Sequence, residues 1–289
     1  MDIVIYGLIS GSVILMASIG FSMTLKAEGF INIAHGQMLL VGAYLGLLFT
    51  SLGIPFLLAL VLVVICGGVL GVFIFQAFFA PIKARGTLAL LFTSVGLAYV
   101  MYGLVGMFAG KRMLAYDLPP VRAYVIDDTP IMTIYEIAIV VAAILSALGI
   151  HLFLSRTWLG KSIRAVADNI DLARIRGFDP RHSSNVVWLV ASGLAALAGV
   201  FLGVLGSLHL QMGWQQSVII LAATVLGGLG SIYGVMLAAV VLGFGMEIGI
   251  LFLPTSYRTA IAFAIIIVVL CLKPDGLQSL WGGAKARRF

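Results

Sequence analysis

The chain has 289 residues, is 62% hydrophobic and only 10% charged, and carries a formal net charge of +6; its mean hydropathy is +1.17. A soluble domain is about 45–50% apolar, so this composition excludes a soluble globular protein, and the surplus apolar surface must face lipid. The basic excess does not point to nucleic acid, because Lys and Arg sit between apolar runs, where membrane topology places them.

A bilayer-crossing helix takes about 20 mostly apolar residues, and candidate spans recur at roughly 3–25, 30–53, 55–80, 87–109, 133–154, 184–207, 217–231, 233–253 and 257–272. The expected fold is therefore an all-α integral membrane bundle of about eight or nine transmembrane helices, one membrane domain over residues 1–289. The seventh run is short enough to be broken or re-entrant, which leaves the number of crossings open. The opening stretch MDIVIYGLIS has no basic n-region and reads as a retained first span, not a removed signal.

The second span opens on GFINIAHG, residues 29–36. Asn32 and His35 there are polar groups that a membrane helix does not carry casually. A helix break between Gly29 and Gly36 would free backbone groups to line a polar path; an interhelical hydrogen bond would explain the same residues. Cys66 and Cys271, in separate apolar runs, read as small hydrophobes and not as a disulfide. Lys83 and Arg85 mark a short basic loop. The longer loop 110–132 has three basic residues but also Asp117, Asp127 and Asp128, with Pro119–Pro120. Glu136, at the start of the fifth span, reads as interfacial.

The stretch RTWLGKSIRAVADNIDLARIRGFDPRH, residues 156–182, holds six of the 17 Lys and Arg residues. Its Gly160–Ser162 ends like a P-loop, but Ser155 stands where the first P-loop glycine is required and a membrane span precedes it, so nucleotide binding of that kind is excluded. The segment reads instead as one or two short helices outside the membrane. Asp168 or Asp171 can cap the run LARIR. Arg174 and Arg176 fall in its last turn, where cations are favoured. Gly177 suits the left-handed position past the end, and Pro180 forbids continuation. A loop serving only topology and anionic headgroups needs the charge; a compact knob shaped for a groove on a soluble partner also needs the caps and the stop.

Past this loop, His209, Gln211, Gln215 and Gln216 mark an outer turn. Glu247, in GFGMEIG, is an acid inside an apolar run and must be protonated, paired or near water. Counting cations puts loops 81–86 and 155–183 and the tail with Lys273, Lys285, Arg287 and Arg288 on one side if nine segments alternate; that side is the cytoplasm and the N-terminus lies outside. A re-entrant seventh segment would change that parity. Small-xxx-small glycine pairs, among them Gly7/Gly11, Gly42/Gly46, Gly67/Gly71, Gly199/Gly203 and Gly245/Gly249, allow close helix packing. Residues 42–71 and 222–249 echo each other weakly, as a duplicated half would. The histidines at 35, 151, 182 and 209 show no metal-ligand spacing, and no serine sits in a nucleophile elbow. Neither a metal nor a cofactor is expected.

Three blocks carry a resemblance. GFINIAHGQMLLVGAYLG (29–46), LGKSIRAVADNIDLARIRGFDP (159–180) and VLGGLGSIYGVMLAAVVLG (225–243) occur in the order and kind found in permeases of branched-chain amino-acid ABC importers. The similarity covers nearly the whole chain. It implies a type II-like importer permease of the bacterial inner membrane, not itself an enzyme. It also implies two cytoplasmic ATPase subunits, a second homologous permease, and a periplasmic or lipid-anchored substrate-binding protein. The loop 155–183 becomes the coupling loop, with Arg164, Ala165, Asp168, Asp171, Arg174, Arg176 and Gly177 at the ATPase. The glutamate common in ABC importer coupling motifs is absent, and Asp168 is the nearest acid. Asn32, His35 and Glu247 become candidates for the translocation path. The competing reading is an ion-gradient-driven secondary transporter, for which Glu247 would have to lie near the midplane; related permeases also carry urea or short amides.

Overall fold

The computed structural model describes residues 2–110, 112–119, 121, 124–126, 129–272 and 276–280. Lys111, Pro120, Arg122, Asp127 and Asp128 of the long loop lie outside the described residues, as do Lys273, Lys285, Arg287 and Arg288 of the tail. Eleven α-helices are found among the described residues: α1 Asp2–Glu28, α2 His35–Ser51, α3 Phe56–Ile74, α4 Thr87–Ala109, α5 Ile134–Arg156, α6 Trp158–Asp168, α7 Ile170–Ile175, α8 Pro180–Leu205, α9 Met212–Gly227, α10 Ile232–Ile250 and α11 Arg258–Leu272. A π-helical turn, Phe75–Phe79, prolongs α3. Among the described residues, the departures from an all-helical plan are a short antiparallel hairpin, β1 Tyr124–Ile126 with β2 Thr129–Met132, and an isolated bridge between Leu114 and Leu208.

Six helices, α1, α3, α4, α5, α8 and α10, are long and apolar enough to cross a membrane. The others fall short: α2, α9 and α11 have 17, 16 and 15 residues, or roughly 22–26 Å against a hydrocarbon core of about 30 Å. Even so, the nine apolar helices alternate in direction. One end gathers Glu28 of α1 with Lys83, the end of α5 with the start of α10 through His151 and Tyr233, and α6 and α7. The other gathers Ser10 of α1, Glu247 of α10 and Arg258 of α11, and the bridge from Leu114 to Leu208. Of the described Lys and Arg residues, all but Arg112 and Arg258 belong to the first end.

α1 and α8 form the centre and are the most deeply buried of the long helices; α4 and α5 are largely exposed and turn side chains such as Phe92, Leu104, Ile144 and Leu145 outward. Lipid supplies little drive for helices to associate, so backbones must approach closely. The glycine pairs do this inside the chain. A Cβ on Gly42 would strike the Ala196 backbone, one on Gly199 the Leu39 carbonyl, and one on Gly71 the Ser192 side chain, so α2 and α3 both lie directly on α8. Gly7 and Gly11 face α10, and Gly245 and Gly249 face Ile265 and Ile261 of α11.

Two boundaries differ from the sequence reading. The second helix begins at His35, not near residue 30, and α9 begins at Met212, so Trp214, Gln215 and Gln216 are in its first turns and not in an outer loop. Glu136 is the third residue of α5 and closes a capping box with Thr133, its carboxylate accepting the Thr133 N–H at 2.7 Å. That satisfies helix-end donors where the chain enters the apolar layer.

Gly42→Val drives a side chain into α8, and the detergent-solubilised protein should lose about 1–3 kcal/mol or more, read as a lower thermal midpoint. Gly96→Ala, in α4 with nothing within 4 Å of the new methyl, should leave the midpoint unchanged or raise it. Equal loss in both variants would contradict the packing argument.

Candidate functional site

The basic end carries a knob built from α6 and α7. Thr157 caps α6, its hydroxyl accepting the Gly160 N–H at 2.9 Å. Gly160 allows α6 to fold back on the end of α5, where any Cβ would meet the Phe153 carbonyl and the Leu154 backbone; the P-loop-like GKS is thus a packing glycine, an exposed Lys161 and a buried Ser162. One face of α6 is apolar. Ile163 joins a cluster with Ile19 and Met23 of α1, Ile150 and Leu154 of α5 and Val187 of α8, and Val166 is buried as well. Ser162 and Ser183 share a hydrogen bond of 2.7 Å, which ties α6 to the first turn of α8.

The second helix corrects the capping assignment. Asp168 is the last residue of α6 and Asp171 lies in the first turn of α7. The cap is the residue between them, Asn169, whose Oδ1 accepts the Leu172 N–H at 2.9 Å. An asparagine reaches the orphan donors of a first turn as well as an aspartate does. The far end is as the sequence foretold. Gly177 has φ +80, Gly177 N–H donates to the Arg174 carbonyl and Phe178 N–H to the Ala173 carbonyl, a complete Schellman closure. Phe178 then packs on Trp158, ring centroids 5.3 Å apart, which closes the knob on itself. Asp179 caps α8 and Pro180 is its first residue, so the stop of one helix is the start of the next.

The knob's outer surface mixes charge with large apolar groups. Arg164, Asp168, Asp171, Arg174, Arg176 and Gly177 are exposed and Ala165 is half-buried; Ala173 is buried as the knob's own core. Beside them Leu172 is 55% and Ile175 82% exposed. Ile175 points away from the knob.

Asn32 and His35 lie at the centre of the bundle. α1 ends at Glu28, the chain turns at Gly29 (φ +71), and residues 30–34 run back beside α1 without helical structure. His35, opening α2, contacts the Ala17 carbonyl at 3.0 Å, well up α1. Asn32 Oδ1 accepts the Ala34 N–H, and Ile33 N–H donates to Ser94 Oγ. Irregular backbone at membrane depth is tolerated only where protein satisfies it, and these bonds do so. The next turn is less complete. Gln37 is fully buried, and among the described residues its amide oxygen and nitrogen have no partner, nor do the hydroxyls of Ser18 and Ser22. Gly36 meets Gly213 and Ser217, so the starts of α2 and α9 abut in the interior.

Glu247 is paired. Its carboxylate takes a hydrogen bond from Ser10 Oγ at 2.8 Å and an ion pair from Arg258, whose Nη2 also reaches Ser10 Oγ at 3.0 Å. The trio sits toward the end opposite the knob and not at mid-depth. The sequence reading missed Arg258; the clue available was a lone cation opening an apolar run eleven residues after a lone acid.

Comparison with known proteins matches residues 3–270 to the family described as branched-chain amino acid transport system / permease component. The high-affinity branched-chain amino acid transport system permease protein BraD of Pseudomonas aeruginosa is 26% identical over 285 residues, 94% of this chain and 93% of the relative. The corresponding protein LivH of Escherichia coli K12 is also 26% identical, over 94% of this chain and 92% of its own. Among solved structures, PsaBC from Streptococcus pneumoniae in complex with Fab shares the fold, with a TM-score of 0.52 and 13% identity over 96% of this chain and 94% of that one.

Asn169→Ala removes the cap of α7 and should cost about 1 kcal/mol locally, raising amide hydrogen exchange across residues 170–175 roughly fivefold. Exchange in α8 should not change. Unaltered exchange in α7 would mean that tertiary contacts and not the cap hold it.

Proposed function

The chain belongs to the permease components of branched-chain amino acid transport systems, and on that premise we propose that it forms one half of the translocation path of an ATP-driven importer for aliphatic or other small amino acids in the bacterial inner membrane. ATP is hydrolysed in separate subunits. The proposed partners are two cytoplasmic ATPases, a second homologous permease and a substrate-binding protein on the outer face. The basic end faces the cytoplasm, as the cation distribution requires, and residues 1–289 act as one permease domain.

The observation that carries this reading is the knob. Leu172 and Ile175 stand exposed within a ring of charges, on a helix fixed at both ends. Apolar groups rimmed by charge suit the groove of a soluble partner. Arg164, Ala165, Asp168, Asp171, Arg174, Arg176 and Gly177 are the proposed ATPase-coupling residues. A push on them reaches α8 through Ser162–Ser183 and α1 through the cluster that holds Ile163, the two helices on which the bundle is built. Rigid-body rocking of packed helices is the ordinary outcome of such a push.

For the path itself, Asn32 and His35, together with Gln37, supply the polar seam at the bundle centre, and Glu247 lies above it near the outer end. The seam's unpartnered groups support this assignment, since a passage for a polar solute needs groups that can exchange partners. A concavity of about 730 Å3 between α2, α3 and α4 is lined almost wholly by apolar residues such as Leu48, Phe73 and Leu104 and offers nothing to orient such a solute. A secondary transporter is not favoured: its coupling acid would have to titrate at mid-depth, and Glu247 is ion-paired toward one end.

Two variants test the coupling assignment. Leu172→Asp with Ile175→Asp should release the ATPases on affinity purification of the co-expressed complex and cut ATP-driven uptake at least roughly tenfold, as loss of an interface hot spot does, with membrane insertion intact. Gly177→Val should uncouple transport by resisting the left-handed closure. Uptake that survives loss of the ATPases but collapses with a protonophore would replace this reading by the gradient-driven one.

A further inference from the structure

Opposite the knob, a cavity of about 450 Å3 opens between α1, the end of α8 and the starts of α9 and α11. That volume is in the usual range for a small-ligand site, about 300–1,000 Å3. Its lining is mixed: Val13, Ile14, Leu202 and Ile219 are aliphatic, and His209, Gln215 and Arg258 are polar. His209 is held in place, one ring nitrogen 3.2 Å from Gln215 Oε1 and the other 3.1 Å from the Ser207 carbonyl.

Arg258 is the informative member. Its hydrogen bonds among the described residues all leave from Nη2, to Ser10 Oγ and Glu247. The N–H groups on Nε and Nη1 have no protein partner there. Its side chain is 42% exposed while that of Glu247 is 13% exposed, so the acid is inside and the cation borders the cavity. An arginine serving only to neutralise a buried acid would turn its fork to the carboxylate in bidentate fashion. Here one nitrogen holds the acid, and the rest of a rigid, always charged donor set remains for a second anion.

We propose that this cavity is an outer reception site for a zwitterionic aliphatic amino acid, whose α-carboxylate binds Arg258 while its side chain lies on the wall of Val13, Ile14, Leu202 and Ile219. The ammonium group meets the amide of Gln215. Glu247 and Ser10 act as positioning residues that aim the guanidinium. This rests on the reading of the chain as an amino-acid permease and adds to it a residue that selects for a free carboxylate.

The test uses the assembled transporter, with and without its substrate-binding protein. Leucine should raise the thermal midpoint of the purified membrane complex lacking the binding protein, and leucinamide, which has no carboxylate, should not. The double variant Glu247→Gln/Arg258→Gln removes the cation without orphaning the acid. It should abolish the leucine shift and lower uptake into proteoliposomes at least roughly tenfold, chiefly through KM, with subunit assembly unchanged. Arg258→Lys should keep a measurable part of both. Three results would overturn the site: no leucine shift in the wild-type complex, an equal shift by leucinamide, or a double variant that transports leucine with wild-type KM. A double variant that binds leucine normally but no longer associates with the binding protein would assign Arg258 to docking and overturn it too. Wild-type uptake failing while the leucine shift is present and depends on Arg258 would instead count against the transport reading and leave the site standing.

Discussion

The structure depends on how closely helix backbones can approach α8. In lipid the usual gain from burying apolar surface is small between helices, and packing contacts must supply the attraction. α8 meets this demand with Gly193, Ala195, Ala196, Ala198 and Gly199, all buried. α2 lies against Ala196 and α3 against Ser192 and Ala196 at backbone distance. A chain that filled those positions with leucine would still be hydrophobic enough to insert, yet α2 and α3 could not close on their centre. This one helix also connects the two chemically distinct ends. Its first turn is bound to the knob through Ser183, and its last turns, through Leu202, border the cavity that Arg258 faces.

The centre is where composition and structure come apart most. α2 and α9 are short because each starts inside the bundle, with Gly36 against Gly213. Discontinuous helices are a known way for a membrane protein to bring backbone ends and polar side chains to mid-depth without exposing them to lipid. Here most of those groups are tied down, His35 to Ala17 and Asn32 to the backbone just beyond it, while Gln37 and the neighbouring serines of α1 are not. A core in which every polar group was matched would be rigid. A partly matched seam between two helix starts keeps polar groups that can take up partners without breaking a bond.

How far the sequence could be read follows from what each signal encodes. Apolar runs report that a segment is buried in lipid or protein, so all nine apolar helices were legible. They do not report depth, because the same residues suit every level of a hydrocarbon layer, and so the inner starts of α2 and α9 were not. Caps are local and were nearly legible. Gly177 was identified from its glycine and the proline that follows, whereas the start of α7 was off by one residue because Asp168, Asn169 and Asp171 all carry an oxygen at suitable reach and only the fold of α6 decides among them. The outward turn of Ile175 was invisible, since a short helix gives too few turns to show which face is covered. The partner of Glu247 lay beyond the loop 251–257, and pairing across a loop leaves no periodic trace.

The position of the Glu247–Arg258 pair argues for a division of labour within the molecule. A buried ion pair is weak evidence for stability, because desolvation of both charges offsets most of their attraction. One that is half open to a cavity pays even less of its way as a structural element, since solvent screens it. Its place at the end opposite the knob, between α1, α10 and α11, fits a pair whose exposed half can bind a second group. α1 then has a charge-bearing site near its start, through Ser10, and a packed seat for the knob near its end, through Ile19 and Met23. A displacement at the seat must tilt or slide the same rigid helix that aims the guanidinium. If the outer site is occupied as proposed, its occupancy and the position of the inner knob are linked through α1 as well as α8, and by reciprocity a ligand that favours one arrangement of Arg258 favours one position of α6 and α7.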